Sequence, residues 1–249
     1  MLPYTLSGSI TNPTLIFFHG LLGCKEDWHP VISRLQEQFY CIAIDLPGHG
    51  QAPTPIDPLC AIKSTIDQLG IKHPSVVGYS LGGRILMRLQ KQHPCYFGQL
   101  TFLSAHPGLL LEAEKERKKQ DEELWIARMQ TQTTDAFLKL WYDQPLFSSL
   151  QKKTTLFSSM IKTRRTQNLA TILTLYQQCR LSEQEHFTLF PASTTFFYGE
   201  EDLRYKNLYT QKKWNIPLVS IPHSGHAVHL ENPGACARKI QEQHKMSKD

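Results

Sequence analysis

The chain has 249 residues, a hydrophobic fraction of 41% and a formal net charge of +5. That length suits one large domain, or one core domain with an insertion, and the apolar fraction is sufficient for a globular core. The positive excess is mild and forms no long Lys/Arg run in the apolar stretches. It therefore favours an acidic small molecule over a nucleic acid as the partner.

The cysteines and the N-terminus exclude further classes of protein. The six cysteines are scattered and none forms a Cys-x-x-Cys pair, which argues against structural zinc and a disulfide framework and favours a reducing cytoplasm. The first residues lack the basic and apolar segments of a secretory signal, and no apolar run approaches the length of a membrane span. We expect a cytoplasmic protein with no metal, no cofactor and no membrane association.

Short apolar strands alternate with helical patterns over the first hundred residues. That order is typical of a parallel sheet with helices on both faces, so the sequence predicts an α/β fold. Ligand sites in such sheets lie at the carboxyl ends of the strands. The predicted strands 14–18, 40–44, 75–77 and 100–103 are followed there by Gly20-Leu21, Gly48-His49, Ser80 and Ala105-His106.

The segment 75–90 predicts a strand, a sharp turn and a helix. Its centre, Gly78-Tyr79-Ser80-Leu81-Gly82, matches Gly-x-Ser-x-Gly, a turn that exposes a strained serine hydroxyl. Two valines precede the turn as a buried strand, and apolar residues recur on one side of the helix that follows it. On the five-residue pattern alone, an ordinary strand-to-helix turn is the alternative.

Residues 107–190 contain helical patterns and many charges but no strand pattern. An all-helical insertion between two sheet strands is most simply a lid over the strand ends. We therefore predict a helical cap over 107–190 and a core made of 1–106 and 191–249. A bundle packed on the side of the sheet is the alternative.

A nucleophilic serine needs a histidine to take its proton and an acid to orient that histidine. In a Gly-x-Ser-x-Gly fold the three follow the order Ser, Asp, His. Asp202 follows the predicted strand 194–199 and His226 follows the predicted strand 218–221, so we predict Ser80, Asp202 and His226 as the catalytic residues. The competing bases are His19, His49, His106, His223 and His229, and the competing acids are Glu200 and Glu201.

The predicted site also needs donors for negative charge. The backbone N–H groups of Leu21 and Leu81 are the expected pair that would bind an oxyanion. Arg84 lies four residues after Ser80, about one helical turn. A surface arginine or a salt bridge is the simpler explanation, whereas a buried arginine there would hold a carboxylate with its planar fork. Further candidates for anionic contacts in the cap are Arg117, Lys162, Arg164 and Arg165.

Taken together, these motifs resemble the alpha/beta-hydrolase superfamily. The likeness extends over nearly the whole chain. It rests on His19-Gly20, Pro47-Gly48-His49-Gly50, Gly78–Gly83, Gly199-Glu200-Glu201-Asp202 and Gly225-His226. Less common pieces resemble one family within it, the pyruvate-releasing lyases of menaquinone biosynthesis. These pieces are Gly83-Arg84, the segments 104–109 and 141–147, and Glu231-Asn232-Pro233.

The resemblance implies an elimination, in which Ser80 removes a ring proton next to a ketone and the enolate sits between the Leu21 and Leu81 amides. The substrate would be a small polyanion, 2-succinyl-5-enolpyruvyl-6-hydroxy-3-cyclohexene-1-carboxylate. Its three carboxylates would bind Arg84, Arg117 and one basic residue near Lys162, for which Arg164 and Arg165 compete. Tyr79 and Trp141 would line the pocket.

The chain departs from the pattern of the family it resembles at the N-terminus, where the segment before Thr14 leaves little room for the usual leading hairpin. Two other functions stay open at this point. One is a carboxylesterase or thioesterase that uses the same Ser80, Asp202 and His226 for acyl transfer. The other is a non-enzymatic protein that keeps the fold for ligand sensing.

Overall fold

The computed structural model describes residues 1–187, 190–191, 193–211 and 216–246. Residues 188–189 of the predicted cap and residues 192, 212–215 and 247–249 of the predicted core lie outside this description. Seven described strands form one sheet. They are Tyr4–Ser7 (β1), Thr14–Phe18 (β2), Tyr40–Ile44 (β3), Ser75–Tyr79 (β4), Leu100–Leu103 (β5), Thr194–Gly199 (β6) and Leu218–Ile221 (β7).

The strands lie in the order β1-β3-β2-β4-β5-β6-β7. β1 pairs antiparallel with β3, and every other neighbouring pair is parallel. Parallel neighbours need long crossover connections, which the intervening helices provide. The carboxyl ends of β2 to β7 therefore meet along one edge of the sheet. The prediction of an α/β fold with a mostly parallel sheet is confirmed.

The N-terminal segment differs from the expectation, because it forms β1 at the edge of the sheet. Tyr4 pairs with Ile44, and Ser7 pairs with Cys41. The middle residues of β1 are exposed, so the segment lacks the continuous apolar run by which the other strands were recognised. A single edge strand takes the place of the leading hairpin. It needs fewer residues than a hairpin, so it fits into the short segment before Thr14.

Helices cover both faces of the sheet. Alternate residues of β2 enter different apolar clusters, with Phe17 in one and Phe18 in the other, as expected for a strand buried on both faces. None of the described helices is long and apolar enough to cross a membrane. The helices are His29–Leu35 (α1), Pro58–Gln68 (α2), Leu81–Gln92 (α3), Glu112–Thr131 (α4), Thr134–Tyr142 (α5), Ser148–Lys152 (α6), Thr154–Arg164 (α7), Leu169–Gln178 (α8), Leu203–Gln211 (α9), Val228–Glu231 (α10) and Pro233–Met246 (α11).

The segment between β5 and β6 contains α4 to α8 and, from residue 107 to residue 187, no strand. Side chains of α5 to α7 share a cavity with Ser80, at the carboxyl end of β4. Trp125 of α4 and Phe137 of α5 also belong to the same apolar cluster as Phe17 and Trp28 of the core. Helices α5 to α7 therefore reach the carboxyl ends of the strands, and the division of the chain into a core and a cap stays a prediction.

Candidate active site

Ser80 stands at the turn between β4 and α3, with φ 49° and ψ −110°. A positive φ is strained for a residue with a side chain. The turn is fixed by its neighbours: the Ser80 amide donates to the Leu103 carbonyl at 2.9 Å. A Cβ on Gly82 would lie 2.5 Å from the His19 carbonyl oxygen. Only glycine allows this close approach, which explains the small residue two positions after the serine.

Three side chains form a hydrogen-bonded chain at the strand ends. His226 Nδ1 lies 3.0 Å from Asp202 Oδ2, and His226 Nε2 lies 3.4 Å from Ser80 Oγ. Both His226 and Asp202 are buried. Because Nδ1 donates to the carboxylate, Nε2 is left as the acceptor for the serine proton. The Ser80 contact is long, and contacts of this kind commonly tighten when a substrate binds.

Two competing histidines instead hold loops in place. His19 Nε2 accepts from the Leu46 amide at 2.9 Å, and His49 Nε2 accepts from the Leu22 amide at 3.1 Å. Each donates with Nδ1 to a nearby backbone carbonyl. Burial lowers the pKa of both rings, that of His49 to about 3. They are neutral links between the loops after β2 and β3.

The other competing histidines have different surroundings. His106 Nδ1 accepts from the Gly108 amide at 3.1 Å, and His223 is exposed. His229 is buried between the rings of Trp28 and Tyr79, with centroid distances of 4.5 and 4.4 Å.

Neither ring nitrogen of His229 has a hydrogen-bond partner in the described part of the chain. Burial lowers the pKa of His229 to about 3. It is therefore a neutral polar group in the cavity wall. Of the competing acids, Glu201 is directed elsewhere, since its Oε2 lies 2.9 Å from Ser149 Oγ.

The two residues expected to supply N–H donors are near Ser80: Leu81 follows it in the chain and Leu21 lines the same cavity. Leu81 is the first residue of α3, so its amide has no partner within the helix, and a helix N-terminus favours negative charge. Leu21 lines the cavity next to Gly20. A Cβ on Gly20 would lie 3.4 Å from Ser80 Cβ, which shows how closely this turn approaches the serine. The arrangement can receive a negatively charged oxygen.

A narrow cavity with a free internal volume of about 30 Å³ opens at Ser80. It is mostly apolar with a few convergent polar groups, as ligand pockets usually are. Tyr79 and Trp141, both predicted as pocket residues, line it. The core contributes Leu21, Asp27, Tyr79, Ser80 and His229, and the cap contributes Trp141, Tyr142, Phe147, Met160 and Arg164.

The basic residue of α7 that reaches this cavity is Arg164, and not Lys162. Lys162 is exposed and is not part of the cavity lining. This corrects the expectation that Lys162 contacts the substrate. Residues two apart on a helix point in nearly opposite directions, so burial of one of this pair exposes the other. Arg165 is also exposed and pairs with Asp135.

Arg164 is only 2% exposed. Its Nη2 donates to Asp27 Oδ2 at 2.6 Å, while its Nε has no partner among the described residues. Burial disfavours the guanidinium charge, but the neighbouring Asp27 carboxylate raises the pKa of Arg164 above its usual range. The side chain therefore carries a full charge at the cavity wall, with one donor unused.

The other two predicted arginines are placed differently. Arg84 is half-buried and its Nη1 donates to the Cys179 carbonyl at 2.9 Å, while Arg88, one turn later, donates to the Gln178 carbonyl at 2.8 Å. Both therefore satisfy carbonyls at the C-terminus of α8, where a positive charge is favourable. Arg117 is exposed on α4 and is not part of the cavity lining.

Three polar residues of the cavity lining were not predicted as pocket residues from the sequence: Asp27, Tyr142 and His229. Asp27 lies seven residues after Gly20 in a turn that carried no catalytic motif, and its partner Arg164 is 137 residues away. Tyr142 directly follows Trp141, and this adjacency was the available signal. No group of three or more potential metal ligands is found in the described part of the chain.

Comparisons with known proteins agree with this architecture. A family model described as alpha/beta hydrolase fold matches residues 13–233. A 2-succinyl-6-hydroxy-2,4-cyclohexadiene-1-carboxylate synthase of Photorhabdus laumondii is 31% identical, over 94% of this chain and 86% of its own. The enzyme of the same name from Serratia proteamaculans is 29% identical, over 94% of each chain.

Solved structures give the same fold. The structure of MenH from S. aureus has a TM-score of 0.89 at 19% identity and covers 100% of both chains. A malate-bound thermophilic esterase from Thermogutta terrifontis has a TM-score of 0.78 at 15% identity, over 98% of this chain and 93% of its own. At these identities the likeness concerns the fold.

Proposed function

This chain belongs to the alpha/beta hydrolase fold family, and we propose that within this family it is a carbon–oxygen lyase acting on an enolpyruvyl carboxylate. The substrate is 2-succinyl-5-enolpyruvyl-6-hydroxy-3-cyclohexene-1-carboxylate. The products are pyruvate and 2-succinyl-6-hydroxy-2,4-cyclohexadiene-1-carboxylate. The two synthases that resemble the chain along 94% of its length support this assignment.

One observation carries the proposal: a buried, charged guanidinium shares a cavity with the activated serine. Arg164 and Ser80 both line it. A simple ester would bring no negative charge to this guanidinium. A substrate carboxylate would pair with it through charge-assisted hydrogen bonds. A polyanionic substrate therefore fits this cavity better than a neutral ester.

The reaction follows from the order of contacts. His226, oriented by Asp202, takes the Ser80 proton, and Ser80 Oγ removes the ring proton next to the succinyl ketone. The negative charge moves to the ketone oxygen, where the amides of Leu21 and Leu81 stabilise it. As the enolate collapses, the ring C–O bond breaks and enolpyruvate leaves. Protonation of enolpyruvate gives pyruvate.

The substrate carboxylates need cationic partners, and we assign one of them to Arg164. Trp141 and Tyr142 form the apolar walls that hold the ring. We assign no contact to the exposed Lys162 and Arg117. Arg84 is one turn from Ser80, but its recorded contact is with α8.

The test is release of pyruvate from the enolpyruvyl substrate, followed with lactate dehydrogenase and NADH. Ser80→Ala is expected to lower kcat by about a thousandfold or more, because it removes the group that takes the ring proton. Ser33→Ala is the matched control, since Ser33 is exposed on α1. Folded wild-type protein that releases no pyruvate would overturn the proposal.

The same protein distinguishes the lyase from an esterase. An esterase acylates its serine and should hydrolyse p-nitrophenyl esters efficiently, with an acyl adduct on Ser80 detectable by mass spectrometry. The lyase should release pyruvate without a covalent adduct. Efficient ester turnover in the absence of pyruvate release would favour the acyl-transfer alternative.

A further inference from the structure

The loop that carries His226 is held by one buried carboxylate. Glu231 Oε2 accepts from the Gly225 amide at 2.9 Å, and Glu231 Oε1 accepts from the Ala227 amide at 3.1 Å. These two amides belong to the residues directly before and directly after His226. Glu231 is 7% exposed, so the contacts are largely shielded from water. The backbone at His226 is therefore fixed from both sides by a single side chain.

A side chain of the cap reaches the same carboxylate. Ser149 lies in α6, is buried, and its Oγ is 2.6 Å from Glu231 Oε2. A hydroxyl can donate its one proton to one acceptor at a time. Glu201 Oε2 is the other neighbour, at 2.9 Å, and Glu201 is exposed. The shorter and more buried contact assigns the Ser149 proton to Glu231.

The cap and the histidine loop are also in close steric contact here. A Cβ on Gly225 would lie 2.7 Å from Ser149 Cβ. The glycine before His226 thus leaves the space that α6 occupies. Movement of α6 away from the core would remove both this contact and the hydrogen bond to Glu231.

We propose that Ser149 and Glu231 form a clamp that positions His226 and makes its position depend on the seating of the cap. Glu231 is a positioning residue, since it acts on the reaction through His226 and not on the substrate. The inference deepens the proposed function, on which it rests for the reaction that is measured. The clamp makes proton transfer from Ser80 efficient only when α6 is docked on the core.

A carboxylate suits this role because both of its oxygens accept hydrogen bonds. A glutamine offers one acceptor and one donor group, so Glu231→Gln leaves one buried amide next to His226 without an acceptor. The resulting loop shift would lengthen the His226 to Ser80 contact. Small displacements of a reacting group lower rates by up to about a hundredfold.

The first experiment compares Glu231→Gln with Glu201→Gln in the pyruvate-release assay. We expect kcat to fall about 10- to 100-fold in Glu231→Gln, with KM changed less than about threefold. Glu201→Gln removes the other carboxylate near Ser149 but keeps the backbone bond from the Glu201 amide to the Ser224 carbonyl, so it should retain wild-type kcat. Equal kcat in the two variants would overturn the proposal, and so would an effect of Glu231→Gln on KM alone.

The second experiment tests the link to the cap, and its single variant Ser149→Ala does not depend on the folding of the Glu231 variant. Ser149→Ala should lower kcat by a smaller factor. If both residues act through one chain of contacts, Ser149→Ala combined with Glu231→Gln should be no slower than Glu231→Gln alone. Fully multiplicative losses, or wild-type kcat in Ser149→Ala, would remove Ser149 from the clamp.

The third experiment separates the clamp from the proposed function. The rate at which a fluorophosphonate labels Ser80 reports activation by His226 without any enolpyruvyl substrate. Labelling should slow in Glu231→Gln and in Ser149→Ala but not in Glu201→Gln. If the wild type is labelled but releases no pyruvate, the lyase assignment fails and the labelling rates still decide on the clamp. Equal labelling in all four proteins would overturn it.

Discussion

Two basic residues that are two positions apart in α7 differ in burial. Arg164 is buried against Asp27 at the cavity, whereas Lys162 is exposed. Their charges are equal at neutral pH, so charge alone could not have identified the substrate partner. The direction of each side chain from the helix axis makes the difference. The guanidinium also has geometry that an ammonium lacks, because it can pair with Asp27 and present a further N–H to a ligand.

Arg164→Lys should therefore weaken substrate binding although it keeps the charge. We expect KM to rise about tenfold, because a lysine cannot satisfy Asp27 and a substrate carboxylate with one planar fork. Lys162→Gln is the matched control and should keep KM within about twofold of the wild type, as usual for exposed charges. Steady-state kinetics of pyruvate release gives both values. A larger KM increase in Lys162→Gln than in Arg164→Lys would contradict the assignment of Arg164.

His229 makes a prediction about stability at acid pH. Burial lowers its pKa from 6.5 to about 3 in the folded protein. Between these values the unfolded chain binds a proton that the folded chain does not, so the stability is complete above pH 6.5 and falls as the pH falls towards 3. One such group contributes a slope of about 1.4 kcal/mol per pH unit within this window.

The variant His229→Phe keeps an aromatic ring between Trp28 and Tyr79 but cannot bind a proton. The slope of unfolding free energy between pH 4 and 6 should decrease by about 1.4 kcal/mol per unit, and the slopes should coincide above pH 7. Urea unfolding at a series of pH values gives the slope. Identical slopes for the two proteins in the acid range would show that His229 is not the neutral buried group described above.

At the scale of elements, hydrogen bonds join the cap to the core at several places, and two of them hold loops that border the candidate site. On one side α6 contacts the histidine loop through Ser149. On the other side Gln167, between α7 and α8, accepts from the Gly50 amide at 2.9 Å and donates to the Gly23 carbonyl at 3.0 Å. One amide side chain thus connects the loops after β2 and β3 to the cap. These loops carry the Leu21 amide and the His49 ring.

Gln167→Leu should destabilise the fold, because it leaves a backbone N–H and a backbone carbonyl without their partners. We expect a loss of about 2 kcal/mol in the free energy of unfolding. Gln120→Leu is the matched control, since Gln120 is exposed on α4 and should change stability by less than about 0.5 kcal/mol. Urea titration measures both. Equal stabilities of the two variants would exclude Gln167 as an anchor of the cap.

At the scale of the whole molecule, topology explains why distant parts of the chain meet. Ser80 follows β4, Asp202 follows β6 and His226 follows β7. The three strands run parallel in one sheet, so their carboxyl ends share one edge. The cap is inserted between β5 and β6: the chain leaves β5 at the carboxyl edge and enters β6 at Thr194, which pairs with Leu100 at the opposite edge. The cavity at the carboxyl edge is therefore lined both by the cap and by the core that carries the proposed catalytic residues.

The sequence by itself determined the α/β fold, the serine turn and the chain order of the three proposed catalytic residues. It could do so because apolar periodicity, the positions of glycines in turns and the succession of strands and helices along the chain can all be read from the sequence. The edge strand β1 was missed, because an exposed strand has no continuous apolar run.

Only the tertiary structure decided which basic residue faces the cavity, that Arg84 contacts α8, and that Glu231 and Ser149 meet at the histidine loop. Each of these depends on the direction of a side chain and on a partner far away in sequence, up to 137 residues for Arg164 and Asp27. Nothing in the sequence indicates that two such distant residues will come into contact. Packing of the cap on the core selects them.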